Sequence, residues 1–174
     1  MHLFGRAALC CALFVLVTGC ASTQIVKTAE VPAGSEIVII PFRDCLINGQ
    51  EEDCNGSGLT AAEAFREAFS EGGKFTSRVS ARPVGPKETL SDQAAAEFAR
   101  KNKYAYVING EVDDFYSVAA MTFRADRAAV TTRLIRASDG LVITTFSKRG
   151  SAGSNFATPK GMIKDLAAEL RNGL

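Results

Sequence analysis

Ser91-Asp-Gln-Ala-Ala-Ala-Glu-Phe-Ala-Arg-Lys-Asn-Lys-Tyr-Ala-Tyr-Val-Ile-Asn-Gly-Glu-Val112 is the stretch that decides the fold class. Its first half predicts a helix over Asp92–Lys101. Ser91 is a strong N-cap residue, Asp92 places an anion in the first turn, and Arg100-Lys101 place cations in the last. The period then changes from helical to extended, and Tyr104 to Phe115 predicts a strand, apolar at first and charged at its end. A helix feeding straight into such a strand is half of a βαβ crossover, so a parallel partner strand is expected upstream.

Glu36-Ile-Val-Ile-Ile-Pro-Phe42 supplies that partner: a short β-branched run that reads as a strand buried on both faces and ending at Pro41. An irregular stretch, Arg43 to Gly58, follows. Leu59 to Ser70 predicts a helix whose apolar face is Leu59, Ala62, Phe65, Ala68 and Phe69, stopped by Gly72-Gly73. Phe75 to Val84 reads as a weaker strand, which Pro83 assigns to a sheet edge or an early end. Downstream, Ala128 to Arg136 and Leu141 to Lys148 flank the hairpin signal Ser138-Asp139-Gly140. Thr158-Pro159 caps and starts a last helix, with apolar face Met162, Ile163, Leu166, Ala167 and Leu170 and a stop at Gly173. The order β-α-β-α-β-β-β-α predicts a single α/β domain over residues 36–174, with two or three helices packed on a mixed sheet.

Ahead of the domain, Ala7 to Val17 is an apolar run of eleven residues, too short to span a membrane. It ends in Leu16-Val-Thr-Gly-Cys20, which resembles the lipobox of bacterial lipoproteins, with Val where Leu is favoured. The alternatives are an ordinary secretory signal cut near Ala21 and a short anchor helix. The lipobox resemblance implies a signal peptide over residues 1–19, a diacylglycerol on the Cys20 sulfur and an acylated Cys20 amine. Several acyl chains give stable anchoring, at about 0.8 kcal/mol per buried CH₂. Ala21-Ser22 stands where lipoproteins kept in the inner membrane usually carry Asp, so the same resemblance implies an outer-membrane address facing the periplasm. Residues 20–35 then read as lipid anchor and flexible tether, with a reach of roughly 45 Å.

Cleavage before Cys20 removes His2, the sole histidine of the 174 residues. A mature chain without histidine has no Ser-His-Asp or Cys-His nucleophile, no histidine metal site and no imidazole base. Arg6 leaves as well, so 19 basic residues balance 19 acidic ones and no basic tract points to nucleic acid. Cys10 and Cys11 go with the leader and Cys20 is consumed by lipid, leaving Cys45 and Cys54. In an oxidising compartment this pair predicts a structural disulfide, against the alternative of two free thiols. The acidic neighbours Asp44, Glu51, Glu52 and Asp53 would raise a thiol pKa, which argues against a nucleophile.

Ile37-Val-Ile-Ile-Pro-Phe42, Gly56-Ser-Gly58 entering an Ala-rich helix, the stretch Ala94 to Val112, and Leu134-Ile-Arg-Ala-Ser-Asp-Gly140 together resemble small bacterial lipoproteins with the TolB amino-terminal-like fold. That group includes the curli-secretion lipoprotein CsgG, the penicillin-binding-protein activator LpoB and a lipoprotein family of unknown function. The similarity runs from Glu36 to Leu174, without the long insertions that would build a secretion pore. It implies a non-enzymatic interaction module of the cell envelope, anchored by lipid and meeting an envelope protein or a peptidoglycan-associated partner, with no cofactor and no metal.

Four sets of residues offer other chemistry. Gly56-Ser57-Gly58 could present backbone amides to an anion, which would make the chain a small-ligand or peptide binder, although it lacks a P-loop continuation; the plainer reading is a flexible helix entry capped by Ser57 or Thr60. Glu111 and Asp113 share a face of the third strand, with Asp114 expected on the other. They could serve an envelope hydrolase or bind a cation, against the plainer reading of a solvated strand end. Glu51-Glu52-Asp53 lacks EF-hand spacing. Arg124, Arg127, Arg133 and Arg136 could face a polyanion, but Arg133 and Arg136 are expected on opposite faces.

Overall fold

A computed structural model describes residues 24–46, 54–116, 126–152 and 158–174. Six strands form one mixed sheet, in the order β1-β6-β5-β4-β2-β3, and three helices pack on it. The strands are β1 (Gln24–Lys27), β2 (Glu36–Ile39), β3 (Thr76–Val79), β4 (Tyr106–Tyr116), β5 (Asp126–Arg136) and β6 (Val142–Ala152). The helices are α1 (Ser57–Glu71), α2 (Asp92–Lys101) and α3 (Pro159–Gly173). β2 pairs in parallel with β3 and β4 through the α1 and α2 crossovers, while β4, β5 and β6 form the expected antiparallel meander.

Local signals account for most of these elements. Ser91 Oγ accepts from the Ala94 amide at 3.2 Å and opens α2, and Thr158 Oγ1 accepts from Gly161 at 3.1 Å ahead of Pro159 in α3. Asp139 and Gly140, the latter at φ +73°, turn the β5–β6 hairpin. β3 is short and lies at the sheet edge, four residues before Pro83.

Alternation along the strands creates two unequal cores. Ile37, Ile39, Ile108, Val130, Leu134 and Phe146 face α1 and α3 in the larger core, where Phe42 and Phe65 meet edge to face at 4.9 Å. Ile40, Val107 and Ile135 face α2 in the smaller one. α2 covers only that end of its face. Further along the same face β4, β5 and β6 present Glu111, Asp113, Thr131, Arg133 and Ser147.

Two expectations need correction here. The segment read as tether contributes β1: Gln24 to Lys27 pairs antiparallel with β6, opposite Ser147 to Thr144, and Val31 beyond it is buried. Four residues carry too weak a period to be read as a strand, and the unpaired edge of β6 supplies the hydrogen bonds that make them one. Leu59 belongs to α1 but not to its buried face, which runs through Ser57, Gly58, Ala61, Ala62, Ala64, Phe65, Ala68 and Phe69. Leu59 is 52% exposed.

Candidate functional site

The chain leaving β2 turns through Phe42, Arg43, Asp44 and Cys45 and packs against the first turn of α1. Cys45 and Cys54 are joined by a disulfide, Cα to Cα 5.1 Å, and both are buried. Asp44 is buried between them and the helix. Its Oδ1 accepts from the Gly58 amide at 2.7 Å and its Oδ2 from the Gly56 amide at 2.9 Å. The Cys45 amide donates to Ser57 Oγ at 3.1 Å, and the Phe42 amide donates to Gly58 O at 3.1 Å. Gly56, the N-cap residue, is left-handed at φ +78° and has no side chain to cap with.

The carboxylate of Asp44 therefore does the capping from fourteen residues away. Neither Ser57 nor Thr60 does: Ser57 Oγ takes the Cys45 amide and Thr60 Oγ1 donates back to Gly56 O. Two of the amides that an anionic ligand would have used are thus bonded to the protein's own carboxylate. Sequence reasoning treated Asp44 only as a neighbour of a thiol. An acid next to a cysteine gives no local hint that it caps a helix twelve or more residues downstream.

Beside this knot lies a depression of about 400 Å³, lined chiefly by Pro41, Phe42, Leu59, Val84, Pro86 and Lys87. Its floor is stiff. Arg82 donates to three main-chain carbonyls, those of Gly85, Pro41 and Glu88, tying the segment after β3 to the segment after β2. Burial lowers the pKa of the Arg82 guanidinium, with Asp44 and Glu88 acting in the opposite sense. Leu59 stands at the rim, and Leu46, next to Cys45, is also 52% exposed. Apolar side chains left in water beside a concave apolar wall mark a contact surface.

The carboxylates of β4 are arranged otherwise than the strand pattern suggests. A register shift between Val112 and Asp114 inserts one residue, so Asp114 pairs with Ala129 and shares the face of Glu111 and Asp113. Each carboxylate has its own partner. Glu111 Oε2 lies 2.5 Å from Arg43 Nη2, Asp113 Oδ2 accepts from Thr131 Oγ1 at 2.8 Å, and Asp114 Oδ2 lies 3.3 Å from Arg127 and 3.7 Å from Arg149. Desolvation against the sheet raises the Asp113 pKa, helped by the Glu111 charge and opposed by the Thr131 hydrogen bond, although its side chain still reaches solvent. Arg133 reaches Asp92 and Glu111, and Arg136 pairs with Asp139. Among the described residues no three His, Cys, Asp or Glu side chains come together as metal ligands, and no helix is long and apolar enough to cross a membrane. Cys20, Glu51, Glu52, Asp53 and Arg124 lie outside the described residues.

No protein-family model matches the chain, nor does any curated protein. Solved structures do. PelC from Paraburkholderia phytofirmans, a dodecamer, superposes with a TM-score of 0.64 at 17% identity, over 86% of this chain and 93% of that one. XCC0632 from Xanthomonas campestris, of the family DUF330, gives 0.50 at 13% identity, over 86% and 89%. The C-terminal domain of LpoB from Salmonella enterica also matches, with a TM-score of 0.42 at 21% identity, over 71% and 86%. This chain shares its fold with known bacterial proteins. The resemblance carried by the sequence motifs is therefore a resemblance of architecture.

Proposed function

We propose that this chain is a non-enzymatic accessory protein of the bacterial cell envelope, lipidated at Cys20, facing the periplasm from the outer membrane and acting by binding another envelope protein. The observation that carries the reading is Leu59, half in water at the rim of an apolar depression whose walls are held by the Cys45–Cys54 disulfide, the Asp44 cap and the Arg82 clamp. A rigid, preorganised apolar recess loses little entropy on binding, which suits it to an apolar side chain of a partner. A small ligand held by the amides near Gly56 is disfavoured, because Asp44 occupies two of them. A hydrolase using Glu111 or Asp113 is disfavoured too, because each carboxylate is engaged by a partner of its own, Glu111 by Arg43 and Asp113 by Thr131.

The test is crosslinking in intact envelopes with full-length protein carrying L59E, compared with L141E on the far hairpin. Loss of one defined crosslinked partner with L59E alone supports the reading. An unchanged crosslinking pattern sinks it.

A second copy of the chain is the other class of partner. PelC is a dodecamer, and here the sheet has two edge strands, β1 and β3, with unpaired backbone groups. Light scattering of the solubilised protein separates the two readings by mass.

A further inference from the structure

Lys103 is the one non-glycine residue at positive φ among the described residues, at +61°. It stands where the chain reverses after α2. The Lys103 amide donates to Arg100 O at 3.1 Å and the Tyr104 amide to Ala99 O at 2.9 Å, the paired bonds of a Schellman turn. Glycine is the residue that holds this turn without strain, so a lysine there lowers stability. Cations at the end of α2 complement its dipole, but Arg100 and Lys101 already do so from its last turn. The helix end therefore does not explain Lys103, and retained backbone strain points to a site.

The Lys103 side chain lines a recess of about 360 Å³ with Arg100, Tyr104, Tyr106, Arg136 and Ser138. The frame of this recess is fixed. The Ala137 amide donates to Ala105 O at 2.9 Å, joining the chain that enters β4 to the end of β5. Tyr104 is held by Phe98, edge-on at 6.2 Å, and by the Arg78 guanidinium, 4.5 Å from its ring centre. The nearby carboxylates are taken: Asp139 pairs with Arg136 at 2.7 Å and Glu36 with Arg78 at 2.9 Å. Glu97, three residues before Arg100, accepts from Gln93. No carboxylate lines the recess, and among the described residues none pairs with Arg100 or Lys103. Two positive charges are thus left unbalanced beside two half-buried tyrosine rings.

We propose that this recess binds a small phosphate monoester, with the phosphate on Arg100 and Lys103, the Ser138 hydroxyl as a further donor, and the organic body on the tyrosine rings. A phosphate monoester carries close to two negative charges at neutral pH, which matches the two unbalanced cations, whereas a carboxylate matches one. The recess is separate from the depression at Leu59. Tyr106 pairs with Ile37 at the start of β2, and the depression is built beyond the end of β2, at Pro41 and Phe42. Occupancy of one leaves the other open to a partner.

Phenyl phosphate is the probe, titrated at neutral pH into isotope-labelled full-length protein in detergent micelles and followed by the amide resonances. The amides of Lys103, Tyr104 and Ser138 are expected to shift and to saturate in the millimolar range. Inorganic phosphate lacks the ring and benzoate has the ring with a single charge, so each should bind severalfold more weakly. K103G relieves the strained φ and should raise the melting temperature by about 3 °C while weakening phenyl phosphate about tenfold. A purely structural lysine would not move stability and binding in opposite directions. R100Q, at an exposed position of α2, should weaken binding to the same extent with the melting temperature unchanged. Phenyl phosphate that moves none of these amides, or that binds K103G and R100Q as it binds the native chain, overturns the proposal. Equal binding of inorganic phosphate or of benzoate overturns the assignment of a phosphate monoester.

Discussion

Asp44 Oδ1 accepts the Gly58 amide at 2.7 Å, so the first turn of α1 is capped by a side chain on the other arm of the disulfide loop. This bond fastens the end of β2 to the start of α1, and through Phe42 and Phe65 to the larger core.

D44A removes the acceptor of the Gly56 and Gly58 amides, and the Gly58 amide is buried where water reaches poorly. The expected loss is about 2–3 kcal/mol, more than an exposed cap, because a buried donor is orphaned as well. A urea titration checks it, with the midpoint falling and the slope unchanged. G58A tests the same joint sterically. A Cβ there would sit 2.0 Å from the Phe42 carbonyl oxygen, a backbone atom that cannot swing aside, so a loss of about 3 kcal/mol is expected.

Reducing the Cys45–Cys54 bridge reopens a loop whose ends are nine positions apart. The chain-entropy contribution is about 2–3 kcal/mol, and the C45S/C54S double variant should lose the same amount as reductant does. A variant unaffected by reductant but as stable as the reduced wild type satisfies the prediction. One as stable as the oxidised protein refutes it.

Thr132 and Thr144 lie fully inside the larger face of the sheet, and their hydroxyl oxygens have no hydrogen-bond partner. Replacing such a hydroxyl with an apolar group of the same shape removes a desolvation cost. T132V is expected to stabilise the fold by about 1 kcal/mol, and T144V similarly. T131V is the contrast. It loses the 2.8 Å bond to Asp113 on the open face and should not stabilise.

At the hairpin tip, the hydrogen bond from Arg136 and the Leu141 amide hold the Asp139 pKa at about 2, below the ordinary 3.8. A depressed acid contributes stability that is complete above its unfolded value and lost as pH falls toward the folded one. Melting temperature should therefore drop between about pH 4 and pH 2 in part through Asp139, and D139N should flatten that limb. Both partners face solvent, so added salt shrinks the difference.

Elements whose signals are local were legible in the sequence. α2 begins and ends where its cap and end charges place it, because Ser91 and the last-turn cations act within a turn. The hairpin and α3 follow for the same reason. Leu59 falls outside the buried stripe because a 3.6-residue period tolerates more than one choice of stripe, and only the sheet, α3 and the Phe42 wall show which one is covered. Asp114 was misplaced because a bulge advances the phase of a strand by one residue, and the extra residue is defined by the partner strand β5. The candidate depression was invisible, since it joins residues after β2, at the start of α1 and after β3.

By itself the sequence determined the class of the fold, the order of its elements, the pairing of Cys45 with Cys54 as an expectation, and the lipobox at Cys20 as a resemblance. These rest on interactions between residues close in the chain, or on residue counts. Only the tertiary structure decided that Gln24 to Lys27 is a strand, that Asp44 caps α1 and that Leu59 is left in water. Each depends on a surface supplied by a distant segment: the edge of β6, the amides of Gly56 and Gly58, and the limits of the buried face of α1. No window of neighbouring residues contains such a surface.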